Sequence, residues 1–247
     1  MREISFTNGE YYHIYNRGVD KRIIFLDNQD YWKFFDDLRD FNNNSAYEER
    51  LAVLGVSKDN PKPPSGFDFK ALGAFLEQQE KVVDVISYTI NPNHFHLIVK
   101  QLVDNGISNF MRKVGLGYTN YFNKKNERSG ALFQGAYKAI HIDTNDYLLW
   151  LLGYVNGNIE IHGLKKADEY SWSSYRAIKK ALGGFGLGLE IESKPPSGFS
   201  NLSVLSGLED IILSQFRNED EFKNFVDQVI AESRLKKEMK KYLLEDL

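Results

Sequence analysis

Two histidines with one bulky apolar residue between them, His94-Phe95-His96, lie in the run ISYTINPNHFHLIVKQ. The alternation of apolar and polar residues predicts a strand, and alternate side chains of a strand point to the same face. His94 and His96 therefore face one way, while Phe95 faces the core. Two neutral imidazoles side by side can hold a divalent metal ion, and such an ion can support phosphoryl chemistry. Local hydrogen bonding is the alternative role for this pair.

Tyr154 and Asn158 are four residues apart, so a continuous helix places them on one face. A tyrosine hydroxyl near a histidine-bound metal can attack a phosphodiester. An ordinary phenol has a pKa of about 10, so forming the phenolate at neutral pH costs about 4 kcal/mol. A metal ion can offset several kcal/mol of such a barrier, and the Asn158 amide oxygen would complete its ligand set. The alternative is a half-buried core tyrosine followed by an asparagine that ends the helix.

The composition of the 247 residues limits the class of protein. Apolar residues make up 42% and aromatic residues 14%, which excludes a disordered chain. No apolar run approaches the length of a membrane span. The chain has no cysteine, which excludes a disulfide framework and thiolate metal sites. Any metal must therefore be held by imidazole, carboxylate or amide groups.

The charge is unevenly distributed along the chain. The formal net charge is −3, but residues 103–180 carry eleven basic and seven acidic residues, a local balance of +4. This basic stretch directly follows the histidine pair. A nucleic-acid partner is compatible with that distribution, although many solvated helices have a similar one.

Periodicity and turn signals predict the order β-α-β-β-α-β-α. The predicted strands are Tyr11–Arg17, Val82–Ile90, Phe95–Gln101 and Leu132–Asp143, and the predicted helices are Asn28–Asp40, Gly106–Lys125 and Thr144–Asn156. This order predicts an α+β fold with an RRM/ferredoxin-like antiparallel sheet and helices on one face, plus a C-terminal helical extension.

Three regions are predicted along the chain: a catalytic domain over residues 1–180 with an insertion at 43–75, a Gly/Pro-rich linker at 181–206, and a helical extension at 207–247. The hexapeptide KPPSGF occurs twice, at Lys62–Phe67 and Lys194–Phe199. Both copies fall in segments that we expect to be loops.

The sequence resembles the single-tyrosine HUH transposases, specifically the REP-associated tyrosine transposase branch. The stretches that carry the resemblance are YYHIYNRGVDKRIIF, NPNHFHLIV, GISNFMRKVGLGYTNYFNKKNERSGALFQGAYK, DYLLWLLGYVNGNIEIHGL and EYSWSSYRA. They span about residues 11 to 180 in the order of the family. The histidine triplet alone is weakly specific, whereas the ordered set is strongly specific.

The resemblance implies a metal-dependent strand transferase that acts on single-stranded DNA with hairpins or palindromic repeats. It implies that His94, His96 and Asn158 bind Mg²⁺ or Mn²⁺ and that Tyr154 is the nucleophile, forming a 5′-phosphotyrosine link by transesterification. It also implies a cytoplasmic, nucleoid-associated protein without a membrane partner. Relatives act as homodimers or as single chains, and the resemblance leaves both open.

Two alternatives to the strand transferase stay open. Ala136 stands where the family usually has a basic residue, and Ile159 where it usually has proline. These departures allow a domesticated module that binds hairpin DNA without cleaving it. A metal phosphodiesterase that uses activated water is the second alternative. The DNA-binding candidates are His13, Arg17, Arg112, Lys124, Lys125, Arg128 and Lys138, with Tyr118, Tyr121 and Phe122 nearby for base stacking. For Lys124, Lys125, Arg128, Lys138 and the three aromatic residues, each taken singly, an exposed helix end or an ordinary core position is the preferred alternative. Trp172 is predicted to anchor the core.

Overall fold

The computed structural model describes residues 4–42, 81–183 and 214–245, with side chains up to residue 239. The predicted insertion at 43–75, both KPPSGF copies and most of the predicted linker lie outside the described residues. The division of the chain near residue 180 therefore stays a prediction.

Four antiparallel strands form one sheet in the order β2-β3-β1-β4. Their bounds are Tyr11–Arg17 (β1), Val83–Asn91 (β2), His94–Gln101 (β3) and Lys138–Ile142 (β4). The prediction for the last strand was too long at its start. Gly135 has a φ of +75°, a turn conformation that a strand cannot contain, so the chain before residue 138 makes only a single bridge from Phe133 to Gly18.

In the described ranges, five α-helices accompany the sheet: Asn28–Asp40 (α1), Gly106–Lys125 (α2), Asn145–Ile161 (α3), Tyr175–Leu182 (α4) and Glu219–Glu245 (α5). Side chains cap two of the first turns: Asp27 accepts hydrogen bonds from two backbone amides of α1, and Thr144 accepts one from Tyr147 N in α3. Helix α3 runs beyond the predicted end at Asn156 and stops before Gly163, whose φ is +69°.

The two faces of the sheet carry different helices. Phe95 of β3 contacts Phe34 of α1, and Tyr118 of α2 packs on that same Phe34, so α1 and α2 cover one face together. His96, the next residue of β3, meets Tyr154 of α3 on the other face. The predicted α+β class and antiparallel sheet are confirmed. The predicted placement of the helices on one face does not hold for α3, which packs on the face opposite α1 and α2.

Helix α3 is fastened to the sheet and to the C-terminal helix. Asn156 donates hydrogen bonds from Nδ2 to Ser87 Oγ of β2 at 3.0 Å, and its Oδ1 accepts one from Ser174 Oγ at 2.7 Å. On its outer side, Gly153 and Gly157 let α5 approach closely, because a Cβ at either position would meet Val229 or Ile230 within 3 Å. These contacts fix the height and rotation of α3 over β2 and β3.

Candidate functional site

Tyr154 of α3 lies over the histidine pair of β3. Its ring and that of His96 are 5.7 Å apart between centroids and nearly perpendicular. The His94 and His96 rings are 5.2 Å apart, as expected for alternate residues of one strand. Asn158, one helical turn after Tyr154, lies beside His94. The structure thus brings together the four residues that the sequence selected.

The polar atoms around His94 define which of its nitrogens carries the lone pair. His94 Nδ1 is 2.6 Å from Asn93 Oδ1, an oxygen that can only accept, so Nδ1 is the protonated nitrogen. Nε2 is then an acceptor, 3.1 Å from Asn158 Oδ1. Asn91 Nδ2 donates to both atoms, at 2.8 Å and 2.6 Å. The lone pairs of His94 Nε2 in β3 and Asn158 Oδ1 in α3 therefore both point towards the side-chain amide of Asn91.

His96 is oriented by a neighbour on β1. His13 Nε2 and His96 Nδ1 are 2.8 Å apart and hydrogen-bonded, and the two rings stack at 5.0 Å. Both side chains are buried, at 5% and 8% exposure. Because Nδ1 of His96 is engaged with His13, its Nε2 is the nitrogen left for a ligand.

Burial controls the protonation of the site. It lowers the pKa of His13 and His94 to about 4, and the pKa of His96 well below its ordinary value. All three imidazoles are therefore neutral at pH 7 and have lone pairs available. Burial raises the pKa of Tyr154, while the side chain of Asn158 acts in the opposite direction. Without further positive charge, the phenolate of Tyr154 is harder to form than an ordinary one.

The donor set fits a divalent cation. His94 Nε2 and Asn158 Oδ1 face each other with lone pairs, an arrangement that favours a shared positive partner. Asn158 Nδ2 and Asn91 Oδ1 are buried without a hydrogen-bond partner among the described residues, a costly state that is typical of functional sites. Among all the residues that the structure describes, no group of three or more His, Asp or Glu side chains could hold a metal. The ligand set would be two imidazoles and an amide.

Comparison with known proteins identifies the segment that carries these residues. Residues 72–158 match the family model described as Transposase IS200 like. The match covers 87 of the 247 residues. The matched segment contains both histidines of β3, Tyr154 and Asn158. It confirms the transposase family predicted from the sequence and indicates a DNA-processing enzyme.

Two solved structures are similar to parts of the chain. A REP-associated tyrosine transposase bound to a REP hairpin is 15% identical, with a TM-score of 0.47, covering 82% of this chain and 99% of that chain. A protein from Deinococcus radiodurans R1, classed provisionally as a transposase, is 10% identical, with a TM-score of 0.33, covering 67% and 98%. No curated protein matches the chain. No helix among the described residues is long and apolar enough to cross a membrane.

Two of the predicted DNA-binding residues lie on the face of the sheet that carries Tyr154. Arg17 pairs in register with His94, and Lys138 pairs with Tyr15, which itself pairs with His96. Residues opposite each other in a sheet point to the same side, so both cations flank the histidines. Both are exposed. They remain candidates for phosphate contact.

The other predicted DNA-binding residues lie elsewhere. Arg112, Lys124 and Lys125 belong to α2, which covers the opposite face of the sheet. Lys125 bonds to Asp27 and Asp30, so its charge is already paired. Arg128, just beyond α2, bonds to Asn123 and to the Ala131 carbonyl. His13 offers almost no surface to DNA, and we now assign it to the orientation of His96.

The aromatic residues suggested for base stacking are also displaced from the site. Tyr118 and Phe122 are core residues, which confirms the alternative role for them and excludes base stacking. Tyr121 donates to Asp30 on the α2 face. Trp172 is buried and stacks on Tyr31 at 4.5 Å, which confirms it as a core anchor.

Sequence reasoning missed three neighbours of the candidate site. Asn91 was taken only as part of a turn, yet it bridges His94 and Asn158. Tyr15 stacks on His96, and Trp150 stacks on Tyr154. Two of these neighbours could have been predicted from spacing. Trp150 precedes Tyr154 by one helical turn, and Tyr15 is two residues from His13 on the same face of β1.

Proposed function

We propose that the protein is a metal-dependent, single-tyrosine DNA transesterase of the REP-associated branch, acting on single-stranded hairpin DNA. One observation carries the proposal. Tyr154 lies against His96 while Asn158, one turn later on the same helix, lies against His94. The candidate nucleophile and the candidate ligands therefore share one surface. The contacts of α3 with β2 and α5 hold the helix in this position.

In the proposed step, the Tyr154 hydroxyl oxygen attacks a DNA phosphorus atom. A P–O bond to the tyrosine forms and the P–O3′ bond breaks. The phenol loses its proton and the departing 3′ oxygen gains one, leaving a 5′-phosphotyrosine and a free 3′-hydroxyl. The reaction exchanges one phosphodiester for another, so no nucleotide cofactor is needed, and the step can reverse onto a different 3′ end.

His94, His96 and Asn158 would hold Mg²⁺ or Mn²⁺, the ions suited to a phosphate and an amide oxygen. When bound, the ion supplies positive charge that polarises the phosphate and stabilises the phenolate. The protein contributes three neutral groups at pH 7, held by Asn93 and His13, so little reorganisation is needed when the charge develops. Arg17 and Lys138, both exposed beside the histidines, would contact neighbouring phosphates.

The test is formation of a covalent adduct. A labelled single-stranded hairpin oligonucleotide incubated with the protein and Mn²⁺ should give a complex that resists SDS. Tyr154→Phe removes only the hydroxyl and should abolish the adduct. Tyr11→Phe, the same change at the far end of the sheet, should leave it intact. Adduct from Tyr154→Phe at the wild-type level would refute the assignment of the nucleophile.

The same assay separates the two alternatives. A hairpin-binding module, suggested by Ala136 and Ile159, would bind with a clear dependence on salt and give no adduct with any metal. A phosphodiesterase that uses activated water would release cleaved DNA and would keep doing so after Tyr154→Phe. The homodimer considered from the sequence stays a prediction.

A further inference from the structure

A row of aromatic rings leads away from Tyr154 along the start of α3. The Trp150 ring lies 5.3 Å from the Tyr154 ring between centroids, with the planes 14° apart. The Tyr147 ring continues the row at 6.5 Å from Trp150, with the planes 17° apart. All three rings are half-buried and keep part of their surface exposed. Packing of the core does not require a row of nearly parallel rings that are only half-buried.

Tyr15 of β1 forms the other side of this row. Its ring stacks on His96 at 5.6 Å with the planes 21° apart. The same His96 ring lies 5.7 Å from the Tyr154 ring, so Tyr15 and Tyr154 both border His96. The rings of α3 and β1 therefore border one surface, which begins at the candidate nucleophile.

Exposed cations flank these rings. Lys138 Nζ of β4 is 6.0 Å from the centre of the Tyr15 ring, and Lys236 Nζ of α5 is 5.6 Å from that of Trp150. Both lysines are exposed, so their flexible ends can leave a ring for a phosphate. The acidic residues Asp143 and Asp146 lie on either side of the N-cap Thr144, at the end of α3 that is away from Tyr154. The favourable region for an anionic strand is therefore the part nearest Tyr154.

We propose that Trp150, with Tyr15 and Tyr147, binds an unpaired nucleobase of single-stranded DNA next to the phosphate that Tyr154 attacks. The inference rests on the proposed function. Rings with exposed faces and cations beside them are the combination by which proteins hold single strands without reading sequence. A base held there would fix the strand relative to the Tyr154 hydroxyl, so Trp150 is a positioning residue for the reaction.

The experiment compares two probes of equal charge: a fluorescein-labelled dT15 oligonucleotide, and a 15-mer of the same backbone without bases. Binding is measured in full-length Tyr154→Phe protein, where no cleavage occurs. Stacking is worth about 1–3 kcal/mol per base, so adding Trp150→Leu should weaken dT15 binding by about 5- to 150-fold. The same change should leave binding of the abasic 15-mer unchanged.

Matched variants exclude a general loss of structure. Trp32→Leu makes the same change on α1, across the sheet, and should leave the preference for dT15 intact. Trp150→Phe keeps an aromatic ring and should restore most of that preference. Equal weakening of both probes by Trp150→Leu, or no weakening of either, would overturn the proposal. A Trp150→Leu protein whose sedimentation coefficient changes without DNA, while its preference for dT15 does not, would also overturn the proposal. The rings would then contact a second copy of the chain.

The measurement is independent of cleavage. If the wild-type chain forms no adduct while dT15 is still preferred through Trp150, the proposed reaction fails and the base site stands. If the adduct forms normally and Trp150→Leu changes neither dT15 binding nor the adduct rate, the base site fails and the reaction stands.

Discussion

His13 and His96 are joined by a hydrogen bond of 2.8 Å inside the sheet, beneath the helix that carries Tyr154. The two residues come from neighbouring strands and are 83 positions apart in the chain. The bond fixes the plane of the His96 ring and leaves its other nitrogen available. A buried partner of this kind typically changes metal affinity or activity by 10- to 100-fold when it is removed.

His13→Phe keeps a flat ring against Tyr15 but removes the hydrogen bond. We expect the Mn²⁺ concentration for half-maximal adduct formation to rise by about 10- to 100-fold, because His96 is no longer held in place. Saturating Mn²⁺ should restore much of the rate. The measurement is a metal titration of the adduct assay with a hairpin oligonucleotide.

His141→Phe is the matched control for this titration, because His141 is an exposed histidine of β4 that pairs with Glu10. Its metal requirement should equal that of the wild type. A His13→Phe protein with an unchanged Mn²⁺ requirement would show that the hydrogen bond has only a structural role.

Gly157→Ala tests the close contact between α3 and α5. The new Cβ would lie 2.5 Å from Ile230 Cγ1, so the helices must move apart. Overpacking of this kind costs about 1–3 kcal/mol, which exceeds the gain of about 1 kcal/mol from the higher helix propensity of alanine. We expect a lower free energy of unfolding in urea denaturation.

Gly115→Ala is the matched control, and we expect it to raise the free energy of unfolding. A Cβ at this position in α2 meets nothing within 4 Å, so the helix propensity gain should appear as a stabilisation of up to about 1 kcal/mol. Ile230→Ala should also relieve the penalty of Gly157→Ala in the double variant. Equal stabilities for Gly157→Ala and Gly115→Ala would contradict the described contact.

Asp37 of α1 should make stability depend on pH. Its carboxylate is buried at 2% exposure, with Lys33 on Oδ1 and no partner for Oδ2 among the described residues. Burial raises its pKa to about 6, against the opposing effect of Lys33. Because the folded state binds the proton more readily than the unfolded state, this contribution to stability grows as the pH falls.

Between pH 7 and pH 5, the Asp37 contribution should rise by about 1 kcal/mol. Asp37→Asn should remove that part of the pH dependence, as measured by denaturation at the two pH values. Asp20→Asn changes an exposed carboxylate and should leave the dependence as in the wild type. If the Asp37→Asn and wild-type curves run parallel, the buried carboxylate does not titrate in this range.

The local pattern of the chain determined the elements and the core of the candidate site. Helices α1 and α2 have the predicted bounds, because the first turn of α1 and the apolar spacing of both are set by near neighbours in sequence. The shared face of His94 and His96 follows from the period of a strand. The shared face of Tyr154 and Asn158 follows from the period of a helix.

The tertiary structure decided which elements meet. Only the packing placed α3 on the face opposite α1 and α2, so Lys124 and Lys125 are far from the histidines while Arg17 and Lys138 flank them. The contacts of His13, Asn91 and Trp150 likewise depend on strand register and on the rotation of α3. Periodicity states which way a side chain points from its own element. Periodicity does not tell which element packs against that side chain, because the contact joins residues that are far apart in the chain.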